Sequence, residues 1–254
     1  MTWRTGTSSS TTLDFDSGPD PEDIASFGAT RLRILATVAD ACARSGRDPR
    51  QVTLVAVSKT VEPVRLRAAV AAGFDLLGEN RVQEAEAKAA EVSGARWHLV
   101  GPLQSNKARR AVDLFDAIES VDSLDLAQKL DRLAGELGRA PLGIYLQVNV
   151  DRDPAKAGFL PDALESDLGS LSGLSSLRLL GLMTVGRLTG SAPEARPTFS
   201  RLRELSIRLR SGGAAGVTAA LGAGLSMGMT DDYPIAVEEG ATVIRVGRAV
   251  FGAR

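Results

Sequence analysis

The chain has one cysteine, Cys42, and one histidine, His98. Within a single chain this excludes a disulfide framework, a Cys/His zinc site and a C-x-x-C redox pair, and it fits a reducing compartment. Charge of one sign is also missing. Thirty basic residues stand against 31 acidic ones, a net charge of -1, so no counterion-release force draws the chain to nucleic acid or to an anionic membrane surface. No apolar run is long enough to span a bilayer, and the N-terminus lacks the apolar core of a signal peptide. Together these absences predict a cytoplasmic protein with neither nucleic acid nor membrane as partner. Lysine is scarce as well: only Lys59, Lys88, Lys107, Lys129 and Lys156 occur among the 30 basic residues. Where a generic cation suffices this sequence uses arginine, so each lysine asks for a reason.

What is present is a globular composition, 44% hydrophobic and 24% charged, over 254 residues. That length suits either one large α/β barrel or two small domains. Residues 1–22 are rich in Ser, Thr, Asp, Gly and Pro without periodicity and predict a disordered tail. Ile24, Phe27, Ile34, Leu35, Val38 and Cys42 then recur at helical spacing up to Gly46, which predicts an amphipathic helix. Eight short apolar runs follow, at 52–58, 74–78, 96–101, 115–120, 142–150, 177–183, 217–222 and 241–247, separated by helical stretches. Continuous hydrophobicity marks strands buried on both faces, hence a parallel sheet. Eight β/α units in about 200 residues predict a single (β/α)8 barrel of the TIM type over residues 23–254, preceded by the helix and without a second domain. Only Arg248 to Arg254 follow the last run, so the N-terminal helix is expected to help fill the place of an eighth helix.

In such barrels the chemistry gathers where the strands end. Lys59 directly follows the first run, and an ammonium held at an apolar barrel mouth is the kind that forms a Schiff base, which arginine does not do. After the seventh run comes Gly222-Ala-Gly-Leu-Ser-Met-Gly228, and after the eighth Val246-Gly-Arg-Ala249. Loops in these two places commonly hold a phosphate, which makes Gly224, Ser226, Gly228 and Gly247 candidates. Arg245 stands inside the eighth run, where a buried guanidinium needs an acceptor, either a structural carboxylate or the ring nitrogen of a heterocycle. A Schiff-base lysine, a phosphate cup and a partner for a pyridine nitrogen together describe a pyridoxal 5′-phosphate (PLP) site.

The blocks LVAVSKT, GENRVQEA, WHLVGPLQSNKA, QVNVDRDPAKAGF, GLMTVG and LSMGMTDDYPIAVEEGATVIRVGRAVFG, in order from about residue 24 to 254, resemble those of the pyridoxal phosphate homeostasis protein family, the YggS/PROSC group. The resemblance implies a barrel similar to the N-terminal domain of alanine racemases. It implies PLP bound without catalytic turnover, carried by Lys59 and either buffered or delivered to PLP-dependent apo-enzymes by a monomer. Ser226, Gly247 and the amide of Arg248 would hold the phosphate, Arg245 would face the pyridine nitrogen, and Asn80, with His98 and Met183, would line the ring. Arg248 stands where many relatives have a small hydroxyl residue, so the contact expected there is a backbone one.

Two rival readings follow from the same residues. A racemase-like enzyme needs a second acid/base, which in the resembled enzymes is a tyrosine from an extra domain. Of the two tyrosines here, Tyr145 lies in the fifth run and is expected to pack, and Tyr233 is expected at the surface or on a lid. A serine hydrolase is suggested by Gly224-Leu-Ser226-Met-Gly228, but that motif requires a histidine after the serine, and His98 precedes it. Other signals are weaker. Asp151 and Asp153 resemble the start of a calcium loop, yet Ala155 and Lys156 stand where a ligand and a glycine belong. Asp231 and Asp232 read as first-turn helix charges. The run SNKARR, 105–110, reads as a solvated helix face able to guide a phosphorylated ligand.

Overall fold

The computed structural model describes residues 18–186, 192–212 and 220–252. Helix α1 (Pro21–Ser45) starts where Asp20 accepts the Glu22 amide at 2.9 Å and proline occupies the first turn, and it stops at Gly46 in the left-handed region. It therefore takes in the last two residues of the predicted tail. Residues 1–17 of that tail lie outside the described residues.

From there the chain alternates: β1 (Thr53–Val57), α2 (Pro63–Ala71), β2 (Leu76–Glu79), α3 (Val82–Ala89), β3 (Arg96–Leu99), α4 (Ala108–Leu114), β4 (Ala117–Val121), α5 (Leu124–Glu136), β5 (Leu142–Gln147), α6 (Pro161–Ser172), β6 (Leu177–Met183), α7 (Arg196–Ser211), β7 (Gly224–Ser226), α8 (Tyr233–Glu238), β8 (Val243–Val246) and α9 (Arg248–Phe251). All strand pairs are parallel, and β8 pairs back onto β1, closing the barrel in the order of the sequence. The (β/α)8 expectation holds.

Side chains alternate across each strand. Val55, Leu76, Tyr145, Met183 and Val243 meet inside the barrel. Their neighbours Ala56, Leu77, Ile144 and Ile244 face outward into the layer beneath the helices. The helices bring matching stripes, as in α5, where Leu126, Leu130 and Leu133 recur at three- to four-residue spacing and are buried. Helix α1 packs against α2, α8 and α9, and Phe27 meets the Phe251 ring edge-on at 5.7 Å. It thus fills the gap that the four-residue α9 leaves, as its position in the sequence suggested.

The seventh strand differs from expectation. It is Gly224–Ser226, not 217–222; residues 217–219 lie outside the described residues, and Leu221 and Gly222 precede the strand. The glycines are there for close backbone approach. A Cβ on Gly222 would sit 2.4 Å from the Leu180 carbonyl oxygen, and one on Gly181 would sit 1.9 Å from that of Gly224. Gly222 and Gly224 therefore let β7 pack closely onto β6, and Gly224 stands inside the strand and not in a loop after it.

Candidate functional site

Strand register sets the height of each candidate residue. Val57 pairs with Gly78, and Ala56 with Val246. Lys59 and Asn80 each lie two residues beyond the first pair, and Gly247 one residue beyond the second, so all three stand at the C-terminal rim on the adjacent strands β8, β1 and β2. Lys59 is exposed, and its ammonium has no acidic partner among the described residues.

The loop that carries Lys59 is held from below. Ser58 is fully buried; its amide donates to the Gly78 carbonyl at 2.9 Å and its hydroxyl to Glu79 Oε1 at 2.8 Å. The Lys88 ammonium, from α3, donates to the Ser58 carbonyl at 2.8 Å and to Glu79 Oε1 at 2.5 Å. Glu79 Oε2 accepts the Asn80 amide at 3.1 Å. One buried ion pair thus anchors both Lys59 and Asn80 by the residues before them. Directly after Lys59, Thr60 adopts φ 60°, a left-handed conformation that costs a β-branched residue energy and persists only where the surroundings impose it.

A second network crosses the barrel interior. Glu119 on β4 is completely buried, and its Oε1 lies 2.6 Å from His98 Nδ1. Its Oε2 accepts the Ser226 hydroxyl at 2.6 Å. Arg245 donates to Ser226 Oγ at 2.5 Å and to the Thr184 carbonyl at 2.8 Å. Burial works to raise the Glu119 pKa, but the hydrogen bond and charge of His98, with Arg245 and Ser226, hold it below the ordinary carboxylate value. An ionised carboxylate only accepts, so Nδ1 carries the proton of that bond and Nε2 has no partner among the described residues. Burial lowers the Arg245 pKa against the opposing charges of Glu119 and Asp232. Tyr145, also facing inward, is pushed up to about 12 by burial and by the charge of Glu119.

Not every expected residue stands where the sequence suggested. Ser226 is brought to Arg245 and Glu119, with its hydroxyl proton donated to the carboxylate. Gly247 is the N-cap of α9 and has no side-chain cap, so the amides of Gly247 and Arg248 lack intrahelical acceptors. The Arg248 side chain, exposed, pairs with Asp231. Tyr233 is no lid: it is buried at the start of α8, beside Gly228. Asp232 is the N-cap of that helix, but its carboxylate accepts the Met229 amide at 2.6 Å and no helix amide. Asp151 binds Thr198 and Arg201, each at 2.7 Å, and the described residues contain no cluster of three or more Asp, Glu, His or Cys placed to hold a metal ion.

The hydrolase reading fails on geometry. Ser226 contacts a carboxylate and a guanidinium, His98 contacts the other carboxylate oxygen, and no histidine reaches the hydroxyl to activate it. Glu79, Lys88, Glu119 and Thr184 are the residues that sequence reading missed. The scarcity of lysine flagged Lys88, and Arg245 demanded an acceptor, but neither signal identified the partner.

A closed parallel barrel with a free lysine two residues beyond its first strand and a buried arginine on its last defines a class, the alanine racemase-like barrels. A family model described as "Alanine racemase, N-terminal domain" matches residues 37–254. The likeness to alanine racemase of Clostridium difficile, 14% identical with a TM-score of 0.67 over 92% of this chain and 56% of that one, is one of fold. Nearer relatives narrow the class. A pyridoxal phosphate homeostasis protein of Pseudomonas aeruginosa is 41% identical over 87% of this chain and 93% of its own length, and one of Synechocystis is 41% identical over 81% and 93%. The PipY structure of Synechococcus elongatus with PLP bound is 44% identical, with a TM-score of 0.74, over 85% of this chain and all of that one. The chain belongs to the pyridoxal phosphate homeostasis protein family.

Proposed function

We propose that this protein binds PLP at the barrel mouth as a Schiff base on Lys59 and buffers it or delivers it, as a monomer, to PLP-dependent apo-enzymes. The observation that carries the reading is Lys59 itself: an unpaired lysine two residues beyond β1, level with Asn80 and next to the β8 end. Bound PLP supplies an aldehyde for that amine and an electron-withdrawing ring. The other residues fit it. The amides of Gly247 and Arg248, without intrahelical acceptors, suit a phosphate, and Asn80 and His98 line the neighbouring sector. Arg245 commits N–H groups to Ser226 and Thr184 and, with five in all, has donors left for a ring nitrogen. Ser226 would add a phosphate contact by turning its hydroxyl away from Glu119. That a close relative's structure holds PLP supports the reading.

Turnover is not expected. Tyr145, at about 12, stays protonated near neutral pH and is a poor proton shuttle, and Tyr233 is buried in the hydrophobic core. In keeping with a cytoplasmic protein, no described helix is long and apolar enough to cross a membrane. The test is to add PLP, follow the visible absorbance, reduce with borohydride and map the labelled peptide. A band that reduces onto Lys59 is expected; no band, or label elsewhere, overturns the assignment. Steady racemisation or decarboxylation of an amino acid, lost in Lys59→Ala, would replace the carrier by an enzyme.

A further inference from the structure

Beyond Asn80, on the side of Lys59 away from Gly247, an open cleft of about 670 Å³ lies over the ends of β2 and β3. That is within the size range of small-molecule sites. Its walls include Arg81, Gln83, Gln104 and Lys107 as well as Asn80. The floor is tight by design: a Cβ on Gly101 would sit 2.5 Å from the Asn80 carbonyl oxygen, so only glycine lets the β3 loop close against the β2 loop.

The charges in this cleft are unevenly satisfied. In the run 105–110, Arg109 pairs with Glu136 at 3.1 Å and Arg110 with Glu86 at 3.4 Å. Lys107, half-buried on the cleft side, has no acidic partner among the described residues, and neither the Gln83 nor the Gln104 amide has a hydrogen-bond partner there. Arg81 reaches Glu84 at 3.4 Å, an exposed contact of little energetic weight. Glu84 is the one acid lining the cleft, and it also faces Lys88 at 3.9 Å and the Thr60 amide at 3.4 Å. The cleft therefore offers two cations and several amide donors, with its one carboxylate already engaged.

We infer that this cleft binds the oxyanion of a small metabolite, a carboxylate or a phosphate, beside the Lys59 rim and apart from the Gly247 amides. The site rests on these residues alone, so it is tested on the protein without PLP. The full chain is titrated with pyruvate and, separately, with orthophosphate, following the side-chain amide signals of Asn80, Gln83 and Gln104 by NMR. Saturable shifts with either probe are expected; pyruvate alone assigns a carboxylate ligand and orthophosphate alone a phosphate. Lys107→Gln should weaken binding about tenfold, the effect of one charged hydrogen bond, Lys107→Arg should retain most of it, and Arg109→Gln, outside the cleft, should leave it unchanged. The inference is overturned if neither probe saturates the wild-type chain, or if Lys107→Gln binds both as the wild type does. A missing PLP band would sink the cofactor assignment and leave this result standing.

Discussion

Lys88→Met is expected to lower the unfolding free energy by about 3–5 kcal/mol, the usual cost of stranding one charge of a buried pair. Methionine fills the same stem volume but leaves Glu79, fully buried, with only the Ser58 hydroxyl and the Asn80 amide as donors. The Ser58 carbonyl loses its ammonium donor as well. Urea denaturation measures the loss. The double variant Glu79→Leu/Lys88→Met should recover much of it, because no buried charge is then uncompensated. A structural role alone would end there. The positioning role argued for Lys88 requires more: the double variant should remain weakened in forming the Lys59-dependent band with PLP, since the strained turn at Thr60 has lost the clamp beneath it. A stable double variant with wild-type PLP affinity would show that the pair holds the fold and not the rim.

The barrel was legible in the sequence because its signals are local and repeated. Eight apolar runs bounded by helix caps such as Glu62-Pro63 and Gly73 need no knowledge of what lies across the core. Lys59 and Gly247 were legible for the same reason, standing where such runs end, whereas Asn80 came only from the resemblance of its GEN block to the family. The seventh strand was misplaced because Gly224-Leu-Ser226 has glycine for a strand residue. Its logic is the approach of β7 to β6 at Gly181, a contact between segments more than 40 residues apart. The partners of buried charges were illegible on the same ground. Glu79 and Glu119 sit in short buried strands, and only closure of the barrel shows that one faces Lys88 outside it and the other faces His98, Ser226 and Arg245 within. A lone arginine in an apolar strand announces that a carboxylate exists somewhere; it does not say on which strand.

Glu119→Gln tests that interior network. Glutamine keeps the shape but presents one oxygen and one N–H₂, so it accepts from His98 or from Ser226 and opposes the other donor. Arg245, fully buried, loses its nearest negative charge. A destabilisation of about 3–5 kcal/mol at pH 7 is expected, and its pH dependence carries the sign of the Glu119 shift. A carboxylate whose folded pKa lies below its unfolded value, about 4.3, contributes stability that is present above that value and is lost as pH falls through the folded one. The gap between wild type and Glu119→Gln should therefore be full at neutral pH and narrow below about pH 4. The variant should also relieve Tyr145, whose pKa, held up to about 12 partly by the Glu119 charge, falls when that charge is removed and burial alone remains. Ultraviolet titration of the phenol reads this directly, separately from stability. An unchanged Tyr145 titration, or a stability gap that persists undiminished into acid, would mean that Glu119 is not the ionised centre of the barrel.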